Sequence, residues 1–204
     1  MKRKNMPVIF IDLGGTYFTN PRPFVRKFAK KFGIPAEKME EAIWGKKTWT
    51  PYATGKSSDN TYWKKVAKEL GISEGQKNDL RKACYASIVP QYGMKSLVRG
   101  LKKKYRVVIL SSHIKGWVSD LNRKYNLPKE FHGHHYSYDH GVDKPDVKLF
   151  LLAARKMKAA PENCIVVDDN KDFIAAVKKT GAMTILFKDA NDTKARLRKI
   201  GVEI

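Results

Sequence analysis

The sequence predicts an α/β protein in which a parallel sheet is covered by helices on both faces and an all-helical cap is inserted after the first strand. Two patterns predict this fold. From about residue 94 onward, short apolar runs rich in β-branched residues alternate with segments of helical periodicity, as in parallel strands joined by helices. Residues 20–90 show helical periodicity alone, which places them outside the sheet.

The first strand is predicted at Val8–Ile11, four apolar residues that run directly into Asp12. This run is too short and too β-branched for a helix, and Gly14 and Gly15 allow the backbone to turn sharply after it. Asp12 is therefore expected at the carboxyl end of a buried strand, where open α/β sheets bind their ligands.

Helices are predicted in the insertion because its apolar residues recur every three or four positions. The four predicted helices lie at about 23–32, 35–45, 59–71 and 73–88. Gly33 is expected to end the first in a Schellman motif, and Asp59 to cap the third. Ser73 and Gln76 have the spacing of a capping box for the fourth. Residues 49–58, which mix aromatic and polar side chains, are expected to form a loop.

The remainder of the chain is expected to complete the sheet. Further strands are predicted at about 106–110, 131–138, 164–167 and 183–187. Helices are predicted at about 94–104, 117–125, 146–158, 170–180 and 193–200. The first strand belongs with these elements, so residues 1–19 and 91–204 are expected to form the core and residues 20–90 the cap. Such a core is Rossmann-like.

Composition favours a cytoplasmic protein without a membrane partner. An apolar content of 42% is sufficient for a packed core. The basic start lacks the apolar stretch and cleavage site of a signal peptide, and no apolar run is long enough to span a bilayer. Cys84 and Cys164 fit no metal or redox spacing and are expected to be reduced thiols.

The net charge of +21 is spread along the chain. Spread positive charge attracts anionic substrates and gives loose affinity for nucleic acid, and it also occurs on lysine-rich solvated surfaces. Nucleic acid is therefore a candidate partner from charge only. The sequence shows no helix-turn-helix, zinc-finger or RNP-type motif, so sequence-specific binding of nucleic acid is disfavoured.

Polar side chains follow three of the predicted strands, and they are Asp12, Ser111, Ser112, Asp168 and Asp169. A parallel sheet brings these strand ends to one edge. Carboxylates gathered there would repel one another unless they bound a cation, and an all-oxygen set suits Mg²⁺. Lys144 lies in a loop between the second and third of these positions, and with a serine hydroxyl it could hold a phosphoryl group.

With these residues in this order, the chain resembles the haloacid dehalogenase (HAD) superfamily over nearly its whole length. Residues 8–16, 107–111, 144–145 and 165–169 are similar to the four motifs of the superfamily, in order. The helical insertion resembles the cap of the phosphatase-rich branch. The resemblance implies a HAD-like core fold and an aspartyl-phosphate mechanism.

The resemblance also implies a role for each site residue. Asp12 is the nucleophile. The expected phosphate-binding residues are Ser111, Ser112, Lys144 and Gly15. The expected Mg²⁺ ligands are Asp12, the backbone carbonyl of Gly14, Asp168 and Asp169.

Gly14 departs from the pattern of the superfamily, because its phosphatases usually carry a second aspartate two residues after the nucleophile. That aspartate transfers a proton to the leaving oxygen and from water, which glycine cannot do. One hypothesis is that His113 or a group of the cap supplies the proton. His113, Trp49 and Tyr52 are expected at the substrate pocket, whereas Trp63 is assigned to the packing of the cap.

The leading interpretation is a Mg²⁺-dependent phosphatase of small phosphomonoesters that acts through an aspartyl-phosphate. The alternatives are a non-catalytic or very slow phosphate- or partner-binding protein, because of Gly14, and a nucleic-acid-associated phosphatase, because of the charge. A 2-haloacid dehalogenase is the least favoured. That branch uses no cation and has lost the carboxylates that Asp168 and Asp169 retain here.

Two other patterns are rejected as sites. Gly55, Lys56 and Ser57 match the end of a P-loop, but the earlier glycine position is Thr50 and no strand precedes it. Four histidines between 132 and 140 suggest zinc, yet they lack the ligand spacing of a tetrahedral site. They are interpreted as a solvated or hydrogen-bonded cluster.

Overall fold

The computed structural model describes residues 6–204, which contain a five-stranded sheet of order β3-β2-β1-β4-β5 with every neighbouring pair parallel. The strands are β1 (Val8–Ile11), β2 (Arg106–Ser111), β3 (His134–Tyr136), β4 (Cys164–Asp168) and β5 (Met183–Leu186). The predicted α/β fold with a parallel sheet is confirmed. The assignment of residues 1–5 to the core concerns residues outside those described.

Strand β1 lies at the centre of the sheet because its side chains are apolar on both faces. Ile9 and Ile11 pack into one hydrophobic cluster, which extends under the insertion. Val8 and Phe10 point the other way into a second cluster, where Phe10 meets Phe150 edge to face. A strand buried on both faces needs cover on each, and the helices that join the strands supply it.

The covering helices follow the strands in alternation. They are α6 (Met94–Lys102), α7 (Lys115–Tyr125), α8 (Leu127–Glu130), α9 (Ser137–His140), α10 (Lys148–Lys156), α11 (Lys171–Lys178) and α12 (Ala190–Lys199). Strand β3 is shorter than predicted, because residues 131–133 do not join the strand and α9 begins at Ser137. Helix α12 begins three residues earlier than predicted, because the Asp189 carboxylate accepts hydrogen bonds from the amides of Asn191 and Asp192.

The insertion consists of five helices, which are α1 (Arg22–Lys31), α2 (Ala36–Trp44), α3 (Lys46–Ala53), α4 (Asp59–Leu70) and α5 (Glu74–Ala86). Its two connections to the sheet run side by side: the amide of Thr19 donates to the Val89 carbonyl at 2.9 Å, and that of Gln91 to the Tyr17 carbonyl at 2.9 Å. The chain therefore leaves the sheet and returns to it at one place. The cap boundaries at 20 and 90 stay a prediction.

Two helix termini in the insertion have the predicted geometry. Gly33 adopts φ +63°, and the amide of Ile34 donates to the Ala29 carbonyl, which completes a Schellman motif. Ser73 and Gln76 form the reciprocal hydrogen bonds of a capping box.

The expected loop at 49–58 is wrong over its first half, because residues 46–53 form helix α3. Pro51 lies inside this helix and cannot donate the hydrogen bond that the Lys47 carbonyl would otherwise accept. The ammonium of Lys65 donates to that carbonyl instead. This compensation comes from a distant residue, so local sequence does not reveal it.

The expected cap of α4 is shifted by one residue. The hydroxyl of Ser58, not the carboxylate of Asp59, accepts the amide of Thr61 at 3.1 Å. Asp59 begins the helix and binds side chains instead: it accepts hydrogen bonds from the Tyr52 and Tyr85 hydroxyls and pairs with Arg81. These bonds link α3, α4 and α5.

Within residues 6–204, no helix combines the length and apolar character needed to cross a bilayer.

Replacing Ile9 by alanine is expected to lower the free energy of unfolding by about 2–5 kcal/mol, because it opens a cavity beneath a fully buried central strand. Ile200→Ala is the matched control, since Ile200 is 40% exposed and its loss should change stability by less than about 0.5 kcal/mol. Urea denaturation of the three proteins measures both values. Equal losses in the two variants would contradict this placement of the core.

Candidate active site

The carboxyl ends of β1, β2 and β4 bring the predicted polar residues to one edge of the sheet. Asp12 directly follows β1, Ser111 ends β2 and Asp168 ends β4. The parallel register pairs Ile11 with both Ile109 and Val167, so the three strand ends lie at the same level. The sheet itself therefore positions these side chains.

Lys144 connects the strand ends through its ammonium group. Its Nζ donates to Asp12 Oδ1 at 2.5 Å, to Asp168 Oδ2 at 2.5 Å and to the Leu110 carbonyl at 3.0 Å. All three of its protons are thus directed to oxygen. The side chains of Lys144, Asp12 and Asp168 are 5%, 6% and 1% exposed, so water screens these charges weakly.

Burial shifts the pKa of the charged groups at this edge. The pKa of Asp12 is raised to about 7 by burial, against the lowering effect of Lys144. The pKa of Asp169 is raised to about 6 by burial and by the charge of Asp168. Burial opposes the charged form of Lys144 as well, but Asp12 and Asp168 outweigh it and raise the lysine pKa. One ammonium does not fully compensate three carboxylates.

The carboxylates fit a hard divalent cation. Asp12, Asp168 and Asp169 each offer an oxygen, and these oxygens lie within 4.8 Å of one another. The amide of Asn170 donates to Asp168 Oδ1 at 2.8 Å, which fixes the Asp168 carboxylate. An all-oxygen donor set with excess negative charge suits Mg²⁺.

The turn after Asp12 closes against these carboxylates. Gly15 has φ +83°, and a Cβ there would overlap the Asp169 carboxylate. A Cβ on Gly14 would meet nothing within 4 Å. The amide of Gly15 donates to the Phe18 carbonyl at 2.9 Å. The expected contact between Gly15 and phosphate is therefore corrected: its amide is engaged within the turn, and glycine is required there for shape.

A cavity of about 330 Å³ opens between this edge of the sheet and the insertion. Its floor carries the carboxylates and Lys144. Its apolar wall is formed by Trp44, Trp49, Ile88 and Trp117. Two cationic side chains from the insertion, Arg22 and Lys46, also line it, and the Arg22 guanidinium lies over the Trp44 ring at 4.6 Å. Local sequence did not identify Arg22 or Lys46, because their position depends on how the insertion folds over the sheet.

The structure places the two predicted serines differently. Ser112 lines the cavity, and its hydroxyl accepts the amide of Lys144 at 2.8 Å. Ser111 is fully buried behind the cavity surface, and its hydroxyl has no hydrogen-bond partner among the described residues.

Of the residues expected at a substrate pocket, Trp49 and His113 line the cavity. Tyr52 does not, which corrects that expectation. Tyr52 is 2% exposed, packs against Tyr62 and donates its hydroxyl proton to Asp59. Its polar atom is thus used to join helices of the insertion. Trp63 is buried in the hydrophobic cluster as expected.

His113 is held in its neutral form. Burial lowers its pKa to about 4, and the charge of Lys144 acts in the same direction. Its Nδ1 accepts the amide of Ile114 at 3.1 Å, so the ring proton lies on Nε2. A neutral imidazole with so low a pKa is a weak proton donor near pH 7. This disfavours the hypothesis that His113 supplies the missing proton.

Asp143 is a fourth acidic residue of the cavity that the sequence analysis did not assign. Its Oδ1 is buried and has no hydrogen-bond partner within residues 6–204. Burial raises its pKa, against the lowering effect of the Ser112 hydroxyl, Lys144 and the Trp49 indole. Its position immediately before Lys144 is the only signal in the sequence that could have pointed to it.

The rejected patterns lie away from this cavity. Gly55 follows helix α3 rather than a strand, and its backbone lies against Tyr138. His135 Nδ1 and His140 Nε2 are 3.3 Å apart in a hydrogen-bonded pair. His132 Nδ1 accepts the amide of Val107 at 3.2 Å.

A family model described as haloacid dehalogenase-like hydrolase matches residues 6–181. The chain belongs to this family of hydrolases. The predicted membership of the HAD superfamily is thereby confirmed, and the chain is a HAD-like hydrolase with a Rossmann-like core.

Several known proteins are similar to this HAD-like hydrolase over most of their length. The sesquiterpene phosphatase astK of Aspergillus oryzae is 22% identical over 194 residues, which is 93% of each chain. A HAD family enzyme of Bacteroides thetaiotaomicron, solved with magnesium and inorganic phosphate, is 20% identical with a TM-score of 0.74 over 90% of this chain and 95% of that one. The L-2-haloacid dehalogenase of Xanthobacter autotrophicus with chloropropionic acid covalently bound is 16% identical with a TM-score of 0.66, over 98% and 85%.

Gly15→Ala is expected to destabilise this HAD-like hydrolase by about 1–2 kcal/mol or more, because alanine disfavours a positive φ and its methyl group would displace Asp169. Gly14→Ala is the matched control, since its methyl group enters free space without a positive φ. Urea denaturation without added metal measures both. A smaller loss for Gly15→Ala than for Gly14→Ala would contradict the geometry of the turn.

Lowering the pH from 6.5 to 4 is expected to cost about 3 kcal/mol of stability through His113. Between these pH values the His113 imidazole binds a proton in the unfolded chain. In the folded protein, burial lowers its pKa to about 4 and keeps it neutral. His113→Asn should remove this part of the acid sensitivity, and exposed His134→Asn should not. Free energies of unfolding at pH 7 and pH 4.5 test the difference. An unchanged pH dependence in His113→Asn would show that the folded protein does not hold this imidazole neutral.

Proposed function

We propose that this HAD-like hydrolase is a Mg²⁺-dependent phosphatase of small phosphomonoesters that acts through an aspartyl-phosphate on Asp12. The observation that carries the proposal is the arrangement of Asp12 at the floor of the cavity. Its carboxylate is fixed by Lys144 and lies within 4.8 Å of the carboxylates of Asp168 and Asp169. A nucleophilic carboxylate, a fixed cation and a site for a divalent ion are the parts that phosphoryl transfer requires.

Asp12 is prepared to act as a nucleophile by the groups around it. Lys144 holds Asp12 Oδ1, which leaves Oδ2 free to attack phosphorus. Burial removes water from the carboxylate, so the attacking oxygen is less strongly solvated. Attack forms the bond between Asp12 and phosphorus as the ester oxygen leaves on the opposite side. Water then hydrolyses the aspartyl-phosphate and restores the carboxylate.

The phosphoryl oxygens find donors at the same edge. Lys144 supplies positive charge beside Asp12, and the Ser112 hydroxyl lines the cavity. We assign the contacts with phosphate to Lys144 and Ser112, because Ser111 is fully buried and does not line the cavity.

The residues that would hold Mg²⁺ are Asp12, Asp168, Asp169 and the backbone carbonyl of Gly14. When bound, the ion supplies charge that offsets the carboxylates and the phosphoryl oxygens. The pKa values of Asp12 and Asp169 are raised first by burial and then by the neighbouring carboxylates, and a bound cation would offset both effects. The Bacteroides relative was solved with magnesium and inorganic phosphate, which agrees with the proposal.

The cavity supports a small ester with an apolar organic group. Its volume of about 330 Å³ lies at the lower end of the range for small-molecule sites. Trp49, Trp117 and Ile88 offer apolar surface beside the floor. A relative of nearly equal length is a sesquiterpene phosphatase, which is consistent with an apolar leaving group.

Gly14 supports one competing function, which is binding of phosphate without efficient turnover. The residue offers a backbone carbonyl but no group that transfers a proton. An aryl phosphate distinguishes the two functions, because its leaving group needs little protonation. A phosphatase should hydrolyse it even without an acid at position 14, whereas a binding protein should not.

Hydrolysis of an aryl phosphate is expected to require Mg²⁺ and to stop with a chelator. Asp12→Asn should lower kcat by at least about 10³-fold, because an amide cannot form the aspartyl-phosphate. Asp172→Asn is the control, since Asp172 is exposed on α11, and it should retain the parent rate. Absence of Mg²⁺-dependent turnover, or turnover that survives Asp12→Asn, would refute the proposed function.

A further inference from the structure

We infer that Asp143 is the general acid and base of the reaction and takes the place of the carboxylate that is missing at Gly14. The inference rests on the proposed phosphatase function. It concerns a residue of the loop that also carries Lys144.

Asp143 lines the cavity, and its Oδ1 makes no hydrogen bond that would explain its position within the described residues. It lines the same cavity as Asp12 and Lys144. Its Oδ1 is shielded from solvent and has no hydrogen-bond partner in the described part of the chain. Buried carboxylate oxygens in proteins are normally hydrogen-bonded, so an exception beside a reactive group indicates a ligand or a reaction.

The surroundings place Asp143 on the side of the cavity that faces the insertion. Its nearest polar neighbours include the Ser112 hydroxyl and the indole of Trp49, a residue of helix α3. Asp12 attacks from the edge of the sheet, and in-line displacement puts the leaving oxygen on the far side of phosphorus. We place that far side toward the insertion, whose Trp49 neighbours Asp143, so that Asp143 would protonate the leaving oxygen.

Other ionisable groups of the cavity are less suited to the task. Asp12, Asp168 and Asp169 form the nucleophile and metal cluster, and Lys144 is bound to two of them. The Arg22 guanidinium is paired with Glu40 and does not release its proton. Lys46 is exposed at the rim, where water surrounds its ammonium.

His113 is also unsuited, because burial keeps its imidazole neutral. Asp143 is the remaining carboxyl group of the lining. Burial raises its pKa, which favours the protonated form that a general acid needs.

Asp143 gives up one proton and takes one back in each reaction cycle. In the first step, the Asp143 carboxylic acid gives its proton to the ester oxygen while the phosphorus–oxygen bond to that oxygen breaks and the bond to Asp12 forms. The alcohol leaves, and Asp143 is a carboxylate. In the second step, it takes one proton from the attacking water while the bond between phosphorus and Asp12 breaks. The other water proton stays on the phosphate.

Asp143→Asn tests the inference through the leaving group. For an alkyl phosphate, whose leaving oxygen needs a proton, kcat/KM should fall by about 10²–10⁴-fold. For an activated aryl phosphate assayed with Mg²⁺, kcat/KM should fall by less than about tenfold, since that leaving group departs as an anion. Asp139→Asn is the matched control, because Asp139 is exposed in the same segment, and it should leave both rates unchanged.

Parallel losses on both substrates would overturn the inference, because a structural or positioning role affects every leaving group alike. Unchanged rates on both would overturn it too. Failure of the proposed function is separate: there the parent protein itself shows no Mg²⁺-dependent turnover of the aryl phosphate.

If Asp143→Asn does not fold, the inference can be tested on the parent protein by comparing leaving groups. Across a series of phosphate esters assayed with saturating Mg²⁺, a protein with a general acid should show kcat/KM values that depend weakly on the pKa of the leaving alcohol. A steep fall with rising leaving-group pKa would mean that no acid acts, and it would exclude Asp143 from this role.

Discussion

The ammonium of Lys144 is the contact on which the active site depends. It joins Asp12, Asp168 and the Leu110 carbonyl, and thereby links the ends of three neighbouring strands. Without it, two carboxylates with buried side chains would face each other with no counter-charge, and such an arrangement is costly in a region that excludes water. A single lysine therefore stabilises the sheet edge and orients the Asp12 carboxylate at the same time.

The sequence predicts that Asp12, Ser111 and Asp168 lie together, because parallel strands place their carboxyl ends at one edge of the sheet. Asp12, Ser111 and Asp168 each stand at the end of an apolar run, and parallel strands bring such ends together whatever the details of packing. The fold class was accessible for the same reason. The Schellman glycine and the capping box also depend only on residues close in sequence.

The features that sequence did not predict depend on contacts between distant residues. Helix α3 tolerates Pro51 because Lys65, fourteen positions later, occupies the carbonyl that proline leaves free. Asp59 could not be recognised as a link between helices because Tyr85 and Arg81 lie more than twenty residues away. Asp143 and Arg22 line one cavity only because the insertion folds over the edge of the sheet, so the sequence does not indicate that they lie together.

The adjacent connections at Thr19 and Val89 divide the chain into a part that forms the sheet and a part that is inserted into it. The insertion begins and ends at one hydrogen-bonded crossing, and the five strands pair with one another in the described part of the chain without a strand from the insertion. The strand ends carry Asp12 and Asp168, while Trp44, Lys46 and Trp49 of the insertion line the same cavity. Replacing this one continuous segment would therefore change one wall of the cavity, and with it the choice of substrate. The residues at the strand ends would stay the same.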